Sequence, residues 1–506
     1  MPSSSTPDTM PAPKPRPSLF RAALLALTLA TSCVPALHDA AARDADLSLP
    51  KSFPQTVEPD TSTALGVEGF FEDPELVALV DEALAHNQEL NIVRQEFVIA
   101  QAEILARRGE YLPFVSFMAG AGIEKVGEFT SQGASDAADP IRPGHRVPEN
   151  LQDYSLGFNA SWEIDVWKKL RNATKAAVYR YLSTVEGRNF LVTQLVAEIA
   201  HTYYELLALD GQLEVLNRNI QIQGDALRIV RIEKEAGRVT ELAVQRFEAE
   251  VLDTRSRVFE IRQRIVQAEN RLNFLVGRYP QPIEREGMKF LDLRPSPVRS
   301  GLPAQLLENR PDVRRAELEL RAAKLDVQVA RASFYPSLSL DAAVGLEAYR
   351  AESLPELPES ILYRAASNVT APLLNRRALV AGYWASNSRQ MQAVLTFERT
   401  LREAFMESAN QLSLITNLAS KYELKSRQVE LLEAAIEVSS RLFASARADY
   451  MEVLLTRRDA LDAEMELIET RQQQFSAVVD LYRALGGGWR HGLQAETTGN
   501  PNLPTE

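Results

Sequence analysis

One cysteine in 506 residues, Cys33, leaves no disulfide framework and no thiolate metal site. The five histidines, His38, His86, His145, His201 and His491, are scattered without metal-ligand spacing, and no nucleophile motif or glycine-rich strand-to-helix loop accompanies them. These absences speak against an enzyme, a resident cofactor or a metal. A formal charge of -12 without a Lys/Arg cluster lacks the basic footprint that nucleic-acid phosphates demand, and it suits a solvated channel or periplasmic surface. No apolar run after Cys33 reaches the length of a membrane-spanning helix. Proline is missing between Pro148 and Pro280, and again between Pro372 and Pro501, so two long spans are free of the strongest helix breaker.

What is present is present twice. Residues 83–123 are echoed without a gap by 306–346, pairing Glu96 with Glu319, Arg108 with Arg331 and Pro113 with Pro336. In a second register 170–277 matches 379–486, so that GRVTELAV from Gly237 falls on ARADYMEV from Ala446, and NFLVG from Asn273 falls on YRALG from Tyr482. A copied unit predicts two like halves about a pseudo-symmetry. The expected organisation is a signal peptide over 1–32, an extended strap over 33–69, repeats over 70–296 and 297–489, and a flexible tail over 490–506.

The signal is read from Lys14, Arg16 and Arg21 ahead of an apolar run over 22–30 that stops at Thr31-Ser32-Cys33. Cysteine at that point resembles the lipobox of bacterial lipoproteins, with Ala30 where leucine is usual, and makes Cys33 the candidate acylation site. An ordinary signal peptide with an incidental cysteine has the same layout. Val34 supplies no acidic inner-membrane retention signal.

Asp73 as N-cap and Pro74 in the first turn predict a helix continuing to about Arg108. A helix from about Leu170 to Ala236 would reach roughly 100 Å at 1.5 Å per residue. A compact chain of this length has a radius of gyration of only about 23 Å, so such helices are expected to lie along a rod or tube. Gly237 and Ala446 mark their returns. After the second return Leu461, Met465, Ile468, Gln472, Phe475, Val479 and Tyr482 form one coiled-coil seam. Before it run two seams, Leu424, Leu431 and Val438 on one and Val429, Ile436 and Phe443 on the other. Two apolar edges predict a helix with neighbours on both sides, as in a wall of helices.

Between the helical spans the period changes to two. Tyr154, Leu156, Phe158, Ala160 and Trp162 alternate with Ser155, Gly157, Asn159 and Ser161. Leu338, Leu340, Ala342, Val344 and Leu346 alternate in the same way, as do Val115, Phe117, Ala119 and Ile123; a noisier fourth strand is expected over 362–373. With Trp162, Trp167, Tyr335 and Tyr363 near strand ends, this fits a membrane β-barrel with an aromatic girdle, its membrane-facing side carrying Tyr154, Leu156, Phe158, Trp162, Leu338, Leu340 and Val344. An amphipathic sheet on a soluble core has the same alternation; the export signal favours the barrel. Four strands cannot close alone and an open edge is not tolerated in lipid, so several copies are expected to share one barrel. The strand-to-strand connections, about 124–153 and 347–361, are then expected outside the cell.

FFEDPELVALVDEAL, LLENRPDVRRAELEL, SFYPSLSL, YMEVLLTRRDAL and LYRALGGGW together make the chain resemble the TolC family of outer-membrane efflux ducts, over nearly everything from Phe70 to Trp489. More narrowly it is similar to the lipoprotein (NodT-type) branch that serves RND pumps, with LLENRPD and LYRALGGGW the most specific pair. The resemblance implies an α+β membrane protein: duplicated long-helix hairpins forming a trimeric α-barrel continuous with a transmembrane β-barrel, four strands per chain. It implies a homotrimer in outer-membrane lipid that engages a periplasmic adaptor (membrane fusion) protein and an inner-membrane RND transporter, and a passive exit for small molecules. An outlet for type I protein secretion and a soluble periplasmic coiled-coil adaptor or scaffold are the alternatives.

Two departures stand out. Trp167-Lys168-Lys169 and Arg376-Arg377 occupy corners where the family commonly has Gly-Gly or Gly-Lys, which predicts corners of different shape. At the periplasmic iris, where members often place Leu and Asp one turn apart, this chain has Met451 and Leu455, with Glu452 or Asp459 as substitute acids. Asp449, Tyr450, Arg447, Arg238, Thr240 and Glu241 complete the candidate gate; any one of them reads equally well as a solvated turn residue.

Overall fold

The computed structural model describes residues 34–37, 41–54, 66–71, 73–138, 140–142, 144–285, 290–296, 299–445 and 447–491. Cys33, the expected export signal, Ala446 and all but the first two residues of the expected tail lie outside the described residues.

Helix α1 (Val67–Phe71) precedes α2 (Pro74–His86), where the Asp73 side chain accepts from the backbone N–H groups of Glu75 and Leu76 and Pro74 occupies the first turn. The helix expected to continue to about Arg108 is broken. Asn87 takes extended backbone (ψ 128°), its Oδ1 accepts the Leu90 N–H at 3.1 Å to cap α3 (Gln88–Tyr111), and its Nδ2 donates to the Leu275 carbonyl at 2.8 Å. One buried side chain thus ends one helix, begins the next and ties both to a third.

Strand β1 (Phe114–Glu124) runs into a connection with structure of its own: helix α4 (Ser131–Ala138) and a short ribbon of β2 (Pro140–Arg142) with β3 (His145–Arg146). The sequence predicted only a connecting loop there; Thr130 starts the helix, its Oγ1 accepting the Gly133 N–H at 3.1 Å. Strand β4 (Leu151–Ile164) leads to α5 (Lys169–Glu235), which returns through α6 (Glu241–Val276). The second half repeats this with α7 (Leu306–Asn309), α8 (Pro311–Ala332), β5 (Ser337–Ala348), β6 (Ile361–Thr370), α9 (Arg377–Ala444) and α10 (Tyr450–Ala484). The long helices α5 and α9 have 67 and 68 residues, as the proline-free spans predict.

The four long strands form one antiparallel sheet in the order β1-β4-β5-β6. They occupy the predicted period-two segments, except that β6 stops at Thr370, ahead of Pro372, which has no N–H for the ladder. The chain divides into two compact units, one of residues 1–43, 100–180 and 320–393 that holds the sheet, the other of 44–99, 181–319 and 394–506. The second unit contains the main apolar core, including Leu76, Tyr203, Leu272, Leu461, Ile468 and Tyr482, with Phe70 stacked on Tyr482 at 4.0 Å. In the same unit the strap is held by Phe53 stacked on Phe405 at 5.4 Å and by the Asp46 N–H donating to Glu398 at 2.8 Å.

The seam expected along α10 is buried at Leu461, Met465, Ile468, Phe475, Val479 and Tyr482. On α9 the two seams part ways: Val429 is buried, whereas Leu424, Leu431 and Val438 are 74%, 57% and 51% exposed.

The corners, expected to differ in shape for want of glycine, each contain a left-handed residue all the same. Lys168 (φ 60°), one residue ahead of α5, and Asn375 (φ 50°), two residues ahead of α9, are left-handed, so each corner holds one residue in the conformation that glycine favours. The Asp165 carboxylate holds the first corner, accepting from the N–H groups of Leu170 and Arg171 at 3.1 and 2.9 Å. Lysine in this region is strained by about 1 kcal/mol, and asparagine by less. Lys168→Gly is therefore expected to raise stability by roughly 0.5–1 kcal/mol, more than Asn375→Gly does, measured as the denaturant midpoint of the purified chain. A loss of stability at Lys168 would show that its side chain outweighs the strain.

Candidate functional site

The sheet register sorts the strand residues into two faces of opposite chemistry. Across one face run the rows Phe117–Phe158–Val344–Tyr363 and Ala119–Leu156–Leu346–Ile361, with Trp162 opposite Leu340, Ile164 opposite Leu338, and Tyr154 between Ala121 and Ala348. Phe117, Phe158, Val344 and Tyr363 are 62%, 54%, 57% and 80% exposed, and Leu156 and Leu340 are exposed beside them. An apolar band of this kind standing in the open is out of place against water. Every charged residue of the four strands, Glu124, Asp153, Glu163, Asp341, Glu347 and Arg364, belongs to the other face. Among the described residues β1 and β6 each pair on one side only, leaving two open edges. Trp167 packs at a tilt against Tyr335, ring centroids 4.8 Å apart, and donates from Nε1 to the Pro336 carbonyl, so these two rings meet at the strand ends. Tyr363, expected near a rim, sits instead in the row of Phe158.

The two helical returns meet. The Arg238 N–H donates to the Glu233 carbonyl at 2.8 Å and the Arg447 N–H to the Leu442 carbonyl at 2.9 Å, the same closure in each repeat, with Gly237 left-handed at φ 69°. Thr240 and Asp449 stand at equivalent N-cap positions in extended backbone, and neither side chain caps its helix. Met451 and Tyr450 pack on a cluster of Val230, Ala243, Val244, Phe247 and Leu454, and Arg246 approaches the Met451 sulfur at 3.3 Å. Leu455 is 41% exposed, and Glu452, Asp459, Asp449, Arg447, Arg238, Thr240 and Glu241 are exposed as well. Of the charged candidates only Glu241 has an ion-pair partner among the described residues, Lys234. Farther along α10 Arg457 keeps Nε and Nη1 buried without a partner, and that burial pulls its guanidinium below the usual arginine range.

LLENRPD and LYRALGGGW meet in the fold. Gly486 is left-handed (φ 84°), and a Cβ on it would stand 2.4 Å from the Asn309 carbonyl oxygen; Gly277 (φ 89°) lies the same way against the His86 carbonyl at 2.5 Å. Arg310, 5% exposed, donates to the Ala484 carbonyl at 2.8 Å, the counterpart of the bond from Asn87 to Leu275. Burial works against its charge, but contacts with Asp312 at 2.7 Å and Glu407 at 2.8 Å outweigh it and hold the guanidinium above its ordinary range. The Trp489 indole N–H also donates to the Asn309 carbonyl, at 3.0 Å. The glycine run is a helix stop packed against a helix break. Sequence reading missed Asn87, Arg310 and Phe247 as joints; the gapless pairing of Asn87 with Arg310, ahead of Pro311, was the available signal.

Among the described residues no group of histidine, cysteine and carboxylate side chains is placed to hold a metal ion, and no helix is long and apolar enough to cross a membrane. The family model described as outer membrane efflux protein matches residues 79–278 and 302–487. The pyoverdine export outer membrane protein OpmQ of Pseudomonas aeruginosa is 28% identical over 424 residues, 84% of this chain and 87% of that protein. The probable outer membrane lipoprotein SilC of Salmonella typhimurium is 25% identical over 84% of this chain and 88% of its own length. In fold, a solved structure of CusC superposes with a TM-score of 0.78 at 23% identity, covering 88% of this chain and 99% of that one.

Proposed function

The chain belongs to the outer membrane efflux protein family, and from that premise we propose that it is the passive exit duct of a tripartite RND-type pump, in which three copies each lend four strands to one barrel. The observation that carries this reading is the sheet with all its charges on one face, a bare apolar band on the other and two open edges. Lipid accepts the apolar band, water in a lumen accepts the charged face, and joining β6 of one copy to β1 of the next removes the edges that lipid does not tolerate. The exposed Leu424, Leu431 and Val438 seam, and Leu252, Phe259 and Val266 at the same spacing of seven on α6, supply apolar helix edges for neighbouring copies. Acylation of Cys33 would add a lipid anchor, and the relative SilC is named a lipoprotein.

The duct hydrolyses nothing; a periplasmic adaptor and an inner-membrane transporter supply the energy and the opening. The closed end lies at the returns, where Met451 and Tyr450 sit on the Val230 and Phe247 cluster, and opening splays the helix pairs toward whichever state the partner binds more tightly. In planar bilayers the full chain is expected to show very low conductance. Met451→Ala with Leu455→Ala should raise it at least about tenfold, the loss of the Met451 contact with that cluster and of the exposed apolar Leu455 side chain being enough to shift a closed equilibrium by that factor. A large resting current in the unaltered chain, or no rise in the variant, would remove the gate from the returns.

A further inference from the structure

Against five carboxylates the four long strands carry a single cation, Arg364. It is exposed and, among the described residues, makes no hydrogen bond or ion pair. Its surroundings are low. Ala343 stands directly opposite, Ala366 is the next residue of the same face, and the diagonal place is Gly345, which faces Gly157. Neither glycine has room for a Cβ, which would lie 2.4–2.5 Å from a neighbouring strand's carbonyl oxygen. The nearest carboxylate in register, Asp341, accepts instead from the Asn368 amide at 2.8 Å, and Glu163 is paired with Lys169 at 3.3 Å. The register that matches Leu170 with Leu379 gives Arg364 the serine Ser155 as its opposite number, so the first repeat carries no second copy of this charge.

We infer that Arg364 sets the charge selectivity of the sheet segment, forming a positive ring that draws small carboxylate- or phosphate-bearing anions through an otherwise acidic lumen. The inference deepens the duct reading and rests on it, since it takes the polar face as the wall of a pore. Rings of charged side chains set ion selectivity where their field reaches the permeating ion. That reach is about 30 Å at 0.01 M salt, about 8 Å at 0.15 M and about 3 Å at 1 M, so the ring acts across a wide pore only in dilute electrolyte.

The test is the reversal potential of the reconstituted full chain, carrying Met451→Ala and Leu455→Ala, under a KCl gradient near 0.01 M. Arg364→Gln is expected to raise the potassium-to-chloride permeability ratio about two- to fivefold, Arg364→Lys to keep the parent ratio, and both differences to vanish near 1 M. Added inorganic phosphate should carry less current through Arg364→Gln than through the parent. An unchanged ratio in dilute salt overturns the assignment, and so does a change that persists at 1 M, which would mark an altered pore shape. A parent variant that neither inserts into lipid as an oligomer nor conducts overturns the duct reading, and the assignment with it.

Discussion

Replacing Gly486 by alanine is expected to prevent the chain from accumulating in folded form. The new Cβ would fall 2.4 Å from the Asn309 carbonyl oxygen, and the backbone at φ 84° is already in the region that side chains resist. Retreat is blocked, because the same carbonyl accepts from the Trp489 indole and the adjoining Arg310 is bonded to Ala484, Asp312 and Glu407. A left-handed alanine alone costs about 1–2 kcal/mol, and overpacking adds about 1–3. The sum is a large part of the stability of an ordinary domain. Gly277→Ala, against the His86 carbonyl, should do nearly the same in the first repeat. Gly237 is the control: it is left-handed too (φ 69°), yet nothing stands within 4 Å of a Cβ there. Gly237→Ala should therefore lose only the backbone cost, about 1 kcal/mol, and remain folded. Denaturant midpoints and yields of the three variants check the ranking; equal behaviour at Gly237 and Gly486 would show that backbone conformation alone, and not the helix-to-helix joint, sets the effect.

That joint also marks how far the sequence could be read. The long helices and the strands were legible because proline is absent from the first and the second alternate with period two, patterns that follow from backbone geometry alone. The break at Asn87 was hidden because asparagine does not forbid a helix; its bond to Leu275 and its cap on Leu90 are seen only in the fold. Its counterpart Arg310 precedes a proline, which biases the preceding residue away from helix, so the break was written in the second copy and could have been carried to the first. The corner residues misled for a similar reason. The missing glycines predicted corners of a different shape, and Lys168 and Asn375 reach the left-handed backbone without one. On α9 the seams at Val429 and at Leu424 are alike in periodicity, and only the fold separates the one that meets the chain's own helices from the one left bare. Of the iris candidates, Met451 and Leu455 were equally visible in sequence, yet Met451 lies on the Val230 cluster and Leu455 is exposed.

Phe158→Arg is expected to abolish assembly into the outer membrane, whereas Ser161→Arg on the same strand should leave it intact. Phe158 lies opposite Phe117 and Val344 in the middle of the apolar band, with the Phe117 ring edge-on at 5.6 Å. An arginine on the lipid face of a barrel costs about 2–4 kcal/mol near the membrane midplane, and in the proposed barrel of three copies this would be multiplied to about 6–12 kcal/mol. Ser161 belongs to the charged face, opposite Asp341, where a cation meets water and a carboxylate and costs little. The comparison separates the two ways of covering an exposed apolar band. If lipid covers it, oligomer that migrates intact without boiling disappears from outer-membrane fractions for Phe158→Arg and persists for Ser161→Arg. If instead the band closes on a soluble partner, the processed chain appears in the periplasmic fraction without detergent, and Phe158→Arg stays there with partner binding lost. Equal outer-membrane yields of the two variants would remove the apolar face from lipid and, with it, the shared barrel.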